Sequence, residues 1–184
     1  MISDKRTFGL MVPGAVTKAP NRKVVQPFDG SVIAEVAGSD VEVVEHALET
    51  AYRLYRNRSN WLPIYKRIEI LHKTIEIMKE RSEDLALEAA REGGKPLMDS
   101  KIEVSRAISS IEVCIEVLRS DAGSVIPMNI NAASANRIAM TRPEPIGVVV
   151  AVSAFNHPLN LIVHQVGPAV ACGCPVIVKP AEDT

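Results

Sequence analysis

The chain has 184 residues, 47% hydrophobic and 23% charged, which suits one soluble domain with a core of its own. A formal net charge of -1 lacks the basic excess of a nucleic-acid surface, so no nucleic-acid partner is expected. No apolar run reaches membrane-spanning length and residues 1–16 lack the apolar core of a signal peptide, so no membrane partner and a cytoplasmic location are expected.

Residues 7–38 read as β structure, with 24–25 and 31–36 alternating around the turn Asp29-Gly30 as a hairpin. Asp40 suits the N-cap of a helix running to about Arg56, with Val43, Ala47, Leu48 and Ala51 on one face. A second helix opens near Pro63 and carries Ile68, Leu71, Ile75 and Met78 as its apolar stripe. Ser82 is predicted to cap a third, which ends at Gly93-Gly94. A long fourth helix spans about 97–120, with Leu97, Val104, Ile108, Ile111, Ile115 and Leu118 facing the core and Cys114 packing beside them. Gly123 ends it, and 124–128 and 137–141 follow as two strands joined by a small polar loop. So short a hairpin has little core and is expected to join a sheet elsewhere, in another subunit for instance.

The last forty residues carry the most information. Residues 147–152 form a continuous apolar strand, as in a parallel sheet covered on both faces. Pro158 opens a helix, Gly173 closes it, and 175–178 supply a second buried strand ending on Lys179. In a parallel strand-helix-strand unit, ligands sit at the carboxyl ends of the strands, here 153–156 and 179–182. No GxGxxG and no GxxxxGK[ST] occurs, so a bound dinucleotide would not rest in a glycine-rich turn. The three cysteines, an odd number, suggest no disulfide framework. Cys172 and Cys174 lack a further Cys or His at zinc-like spacing, and no metal site is expected.

The order PxGVV (Pro145–Val149), FNHPL (Phe155–Leu159), GPAVACG (Gly167–Gly173) and VIVKPAE (Val176–Glu182) resembles the NAD(P)-dependent aldehyde dehydrogenase superfamily. The stretch from Arg91 to Val104, REGGKPLMDSKIEV, is similar to that family's helix-boundary motif, with Glu92, Gly94, Lys95, Pro96 and Glu103 in place. The resemblance covers nearly the whole chain and is strongest to members with a polar FNHPLN motif, such as those acting on phosphonoacetaldehyde or lactaldehyde. It implies an α/β fold: a Rossmann-like parallel sheet with helices on both faces, truncated, preceded by the N-terminal hairpin and helices. Residues 1–122 and 146–184 would form an incomplete cofactor-binding domain, and 123–145 an oligomerisation arm of a homodimer or homotetramer.

The resemblance also implies a chemistry. A cysteine thiolate attacks the aldehyde, an asparagine N–H holds the oxyanion, hydride passes to nicotinamide, and a glutamate activates the water that releases the acid. Asn156 matches the oxyanion asparagine, where a fixed neutral donor is required; on spacing alone it equally suits a cap for the helix at Pro158. Lys179 and Glu182 match adenosine-ribose contacts, and Ser153, Ala154 and Phe155 line the cofactor cleft. A carboxylate there repels a 2′-phosphate, which favours NAD, with NADP possible where a neighbouring cation offsets it. None of Cys114, Cys172 and Cys174 has the surroundings of the family's nucleophile, and its general-base motif is absent, so both are expected beyond residue 184 and the chain alone is expected to be inactive.

The helix after Asn156 presents His157, Asn160 and His164 at helical spacing, a polar substrate mouth. Arg106 shares a helix face with Ile102, Val113 and Val117, a setting in which a guanidinium seeks an anion. Arg106 and His157 are thus candidates to hold the tail of a small anionic aldehyde; the alternative pairs Arg106 with Glu103 or Ser110. Two other functions stay open: a CoA-acylating dehydrogenase of the same superfamily, and a non-catalytic nucleotide-binding or assembly module.

Overall fold

The computed structural model describes residues 6–16 and 19–182. Residues 1–5, 17–18, 183 and 184, which the domain division includes and the first of which belong to the leader expectation, lie outside the described residues.

Strands β1 (Arg6–Phe8), β2 (Arg22–Val25) and β3 (Val32–Val36) form a sheet of order β1-β3-β2, with β1 parallel and β2 antiparallel to β3. The Asp-Gly turn is as read: Gly30 takes φ 73°, and the Asp29 carboxylate accepts the Ser31 N–H at 2.9 Å. Helix α1 (Val41–Arg56) is capped by Asp40, which accepts the Val43 N–H at 3.0 Å, and it buries Val43, Ala47 and Ala51.

Helix α2 (Ile64–Glu80) starts after Pro63 and buries Leu71, Ile75 and Met78. Helix α3 (Ser82–Gly93) corrects one expectation. Ser82 is its first residue rather than its cap. Arg81 forms the joint: its N–H donates to Ile77 O and its carbonyl accepts from Leu85 N, so α2 and α3 are nearly continuous. Gly94 ends α3 with φ 62°. Helix α4 (Leu97–Ser120) buries Val104, Ile108, Ile111 and Ile115, whereas Leu97 at its start is 43% exposed and stands outside the core.

Strands β4 (Ser124–Ile126) and β5 (Ala139–Thr141) pair antiparallel and are shorter than read. The residues between them are taken up by a 3-10 turn, Ala132–Ser134, closed by reciprocal hydrogen bonds of Asn131 and Ser134. Val125, Ile130, Ile138 and Met140 are exposed, so this arm has no core of its own. Gly123 at its base has φ 70°, and a Cβ there would stand 2.1 Å from the Thr141 carbonyl oxygen.

The final unit is β6 (Val149–Val152), α5 (Pro158–Cys172) and β7 (Val176–Lys179), with β6 and β7 parallel and Val152 opposite Lys179. Pro158 opens α5, and Gly173 closes it at φ 81°. Helix α5 packs on both strands and along α4, and α1 touches β7. The core lies where α2, α3, α4 and α5 meet: Leu71, Ile75, Met78, Ala86, Ala107, Ile111 and Ile115 are buried there. Each large aliphatic side chain contributes about 1.5–3 kcal/mol on burial, and the alanines let the helices approach. Among the described residues no helix is long and apolar enough to cross a membrane. The α/β class read from the sequence is the observed one.

Candidate active site

Because β6 and β7 are parallel with Val152 beside Lys179, the polar segments after both strands emerge on one edge. The N–H groups of Val149 and Ser153 point toward β7, donating to Pro175 O at 2.9 Å and to Lys179 O at 3.0 Å. By strand alternation Val152 faces the other way, where no strand pairs with it among the described residues. Gln165 of α5 takes that place: its Oε1 accepts the Val152 N–H and its Nε2 donates to the Val152 carbonyl, both at 2.9 Å.

The loop leaving β6 turns back toward α5. The Ser153 hydroxyl lies 3.3 Å from Pro158 O, while Ala154, Phe155 and Asn156 are exposed. The Asn156 carboxamide makes no hydrogen bond among the described residues, and it does not cap α5. His157 stands at the N-cap position and makes no side-chain cap either. The free N–H groups of Leu159 and Asn160 donate instead to one oxygen of Glu103, across from α4, at 2.8 and 2.9 Å.

Glu103 is fully buried and its second carboxylate oxygen pairs with the Lys95 ammonium. His157 Nδ1 lies 3.6 Å from that oxygen and 3.3 Å from Lys95 Nζ. Burial holds the Lys95 ammonium below the usual lysine range, opposed by the charge of Asp99. Removing a carboxylate from water costs several kcal/mol unless it is paired and hydrogen-bonded, and Glu103 is both. Neither Lys95 nor Glu103 was picked out as a site residue from the sequence. The available signal was an acidic residue among Ser100, Val104 and Ala107 on the core face of α4, together with a helix start at Pro158 that has no capping side chain.

Helices α4 and α5 run in the same direction, Glu103 meeting Leu159 and Asn160, Ser110 meeting His164, and Cys114 lying against Gly167. His164 Nε2 is 2.7 Å from the Ser110 hydroxyl. That hydroxyl also lies 2.9 Å from Arg106 O, one turn back along α4. Arg106 is exposed, and so is the α4 face it shares with Ile102, Val113 and Val117. Its guanidinium pairs with neither Glu103 nor Ser110 and has no partner among the described residues. Asn160 is half-buried, and its Oδ1 is enclosed without a donor.

At the tip of β7, Lys179 and Glu182 are both more than half exposed and 4.0 Å apart, and Arg22 of β2 stands 3.5 Å from the same Glu182 oxygen. The set fits a dinucleotide's ribose end in its chemistry: a solvent-facing carboxylate that accepts hydroxyl hydrogens, with two cations beside it. The cysteines are placed for packing. Cys114 is half-buried against the core with its thiol pushed up by burial, and Cys174 is buried; Cys172 is exposed but is the last residue of α5, at the end of the helix away from the strand tips. An open cleft of about 490 Å³ lies elsewhere, among α2, α3 and α4, spanned by the ion pairs Lys79–Glu112 and Lys101–Glu83.

Residues 16–184 match the sequence profile of the aldehyde dehydrogenase family. The chain belongs to that family. It is 33% identical over its whole length to a 3-sulfolactaldehyde dehydrogenase of Priestia aryabhattai, of which it spans 38%. Its fold is similar to aldehyde dehydrogenase 21 from Physcomitrella patens in complex with the reaction product succinate (TM-score 0.88, 30% identity, 98% of this chain and 38% of that one). It is also similar to the NADP complex of a glyceraldehyde-3-phosphate dehydrogenase from Methanocaldococcus jannaschii (TM-score 0.81, 32% identity, 90% of this chain and 35% of that one). The sequence resemblance and the fold thus agree on the aldehyde dehydrogenase family.

Proposed function

We propose that this chain is the coenzyme-binding portion of a cytoplasmic aldehyde dehydrogenase that oxidises a small polar or anionic aldehyde to its acid. In this reading residues 1–122 and 146–184 bind NAD or NADP, and 123–145 are the arm through which a homodimer or homotetramer assembles. The observation that carries it is the exposed, unpartnered carboxamide of Asn156 at the carboxyl end of β6, left free because Glu103 has taken over the helix start.

Asn156 donates an N–H to the oxygen of the substrate carbonyl as negative charge develops on it. Lys179 and Glu182 hold the ribose end of the coenzyme, and the backbone of Ser153, Ala154 and Phe155 lines its path. The nicotinamide, when bound, supplies the hydride acceptor. The attacking thiolate comes from outside these residues, since none of Cys114, Cys172 and Cys174 stands at the strand tips.

Three observations favour an anionic substrate. Arg106 presents a free guanidinium on α4, and His157 sits against Lys95 beside Asn156. His164 and Asn160 add polar groups along the same helix, the latter with an unsatisfied acceptor. The relative from Priestia aryabhattai is named for an aldehyde that bears a sulfonate. NADP, found in the Methanocaldococcus jannaschii structure, is compatible with Arg22 and Lys179 beside Glu182.

The test is coenzyme reduction by the intact enzyme with a short sulfo-, phosphono- or carboxylate-bearing aldehyde against propanal. Faster turnover of the anionic substrate at equal concentration is expected. A clear preference for propanal would reject the anionic reading, and no reduction with any aldehyde would reject the dehydrogenase.

A further inference from the structure

The segment bearing Asn156 is short and held at both ends by side chains outside it. At its start Gln165 occupies both the N–H and the carbonyl of Val152, at 2.9 Å each. At its end Glu103 accepts the N–H groups of Leu159 and Asn160, at 2.8 and 2.9 Å. Between these anchors the backbone is tied, among the described residues, by the Ser153 N–H bonded to Lys179 O, by the Ser153 hydroxyl near Ala154 O and Pro158 O, and by the Leu161 N–H on His157 O, and none of these bonds involves Asn156. Asn156 itself touches no hydrogen-bond partner among the described residues. Its carboxamide therefore owes its place to the anchors and not to contacts of its own.

We infer that Glu103 and Gln165 are positioning residues for Asn156, fixing the two ends of the loop from which its carboxamide projects. The inference rests on the reading of Asn156 as the oxyanion donor. The reason lies in what each anchor tolerates. An oxyanion donor works only within a few tenths of an ångström of its station, and a displacement of about 1 Å can cost on the order of a hundredfold in rate. A loop pinned by its own backbone ladder would not need side-chain anchors; here the ladder stops at Ser153. Lys95 completes the device by pairing with the second oxygen of Glu103, so both oxygens of this buried carboxylate are committed. Gln165 does the equivalent for the strand: its carboxamide presents a donor and an acceptor at the spacing of a neighbouring backbone and occupies the edge of Val152 that faces away from β7.

The experiment is a double-mutant cycle on the full-length enzyme, with kcat, aldehyde KM, coenzyme Kd and thermal midpoint read for each protein. Gln165→Leu and Glu103→Leu are each expected to lower kcat by about tenfold to a hundredfold, with aldehyde KM and coenzyme Kd within about twofold of wild type. Glu103→Gln, which keeps an acceptor for Leu159 and Asn160, is expected to restore most of the kcat lost in Glu103→Leu. In an Asn156→Ala background, the loss from Gln165→Leu is expected to vanish, because a misplaced donor and an absent one are equivalent. Should Glu103→Leu fail to fold, Gln165→Leu and Glu103→Gln carry the cycle. Losses that multiply fully with Asn156→Ala, or variants with a lower midpoint and unchanged kcat, would overturn the positioning role alone. Wild-type kcat in Asn156→Ala itself would overturn the reading of Asn156, and this inference with it.

Discussion

Glu103 and Arg67 stand at opposite ends of the same helix. Glu103 accepts the first free N–H groups of α5, and Arg67 of α2 donates to the carbonyl of Ala171 in its last turn. The carboxylate meets the positive end of the helix dipole and the guanidinium its negative end. Neither group lies on α5, so the helix is oriented by its neighbours. Burial draws the Arg67 guanidinium below the usual arginine range, and its Nε is enclosed without an acceptor.

Arg67→Leu is therefore expected to destabilise the fold by about 1–3 kcal/mol, the worth of a charged hydrogen bond together with an orphaned carbonyl. Urea unfolding followed by far-UV circular dichroism measures it, and an unchanged midpoint would contradict the role assigned to Arg67.

A second expectation concerns acidity. Glu92 has a pKa raised to about 7, first by burial and then by the charge of Glu88, with Arg6 opposing. Arg6 is itself paired with Glu88, which ties β1 to α3. The folded state thus holds a proton on Glu92 that the unfolded chain, titrating near 4.5, has lost. Stability from this group is present at low pH and falls as pH rises from about 4.5 through about 7. The effect scales as about 1.4 kcal/mol for each unit separating the two pKa values. Glu92→Gln is expected to flatten that slope and to raise the unfolding midpoint at pH 8 above wild type; an equal slope in both proteins would count against it.

For catalysis, Asn156→Ala in the intact enzyme is expected to lower kcat by about 10²–10³. Thermal stability is expected to stay at the wild-type value, because the side chain is exposed and unpartnered. A drop in stability as large as that of a buried mutant would mean that the carboxamide is structural.

Arg106→Gln is expected to lower kcat/KM for a short anionic aldehyde by roughly ten- to a hundredfold while leaving propanal within about twofold. Equal losses for both substrates would place Arg106 outside substrate recognition.

At the coenzyme end, Glu182→Gln releases Arg22 and Lys179 from their shared carboxylate. The ratio of NADP to NAD efficiency is expected to rise by roughly fivefold, the scale of one exposed charge contact. Initial rates with each coenzyme decide it, and an unchanged ratio would remove Glu182 from discrimination.

Much of this was legible in the chain because the signals are local. The apolar stripes of α1, α2 and α4, the Asp40 cap, the Asp29-Gly30 turn and the Pro158 and Gly173 boundaries of α5 all follow from neighbours within a turn or two. Ser82 misled because a serine before an apolar stripe imitates a cap, whereas the joint at Arg81 has no glycine or proline to break the helix. The chain order puts Asn156 just beyond β6, but it does not tell whether that side chain caps α5. The competing group, Glu103, is more than fifty residues away in sequence. The same distance hid Lys95 beside His157 and Ser110 beside His164. The freedom of Arg106 was likewise out of reach, since periodicity tells which residues share a face and not what stands opposite it.

The shared carboxylate of Glu103 also sets an order of events at the ribosome. Helix α4 leaves the exit tunnel before α5, so the residue that starts α5 is made before the segment it serves, and its ion-pair partner Lys95 before either. The loop carrying Asn156 thus ends on a helix start that is held by a residue translated some fifty positions earlier.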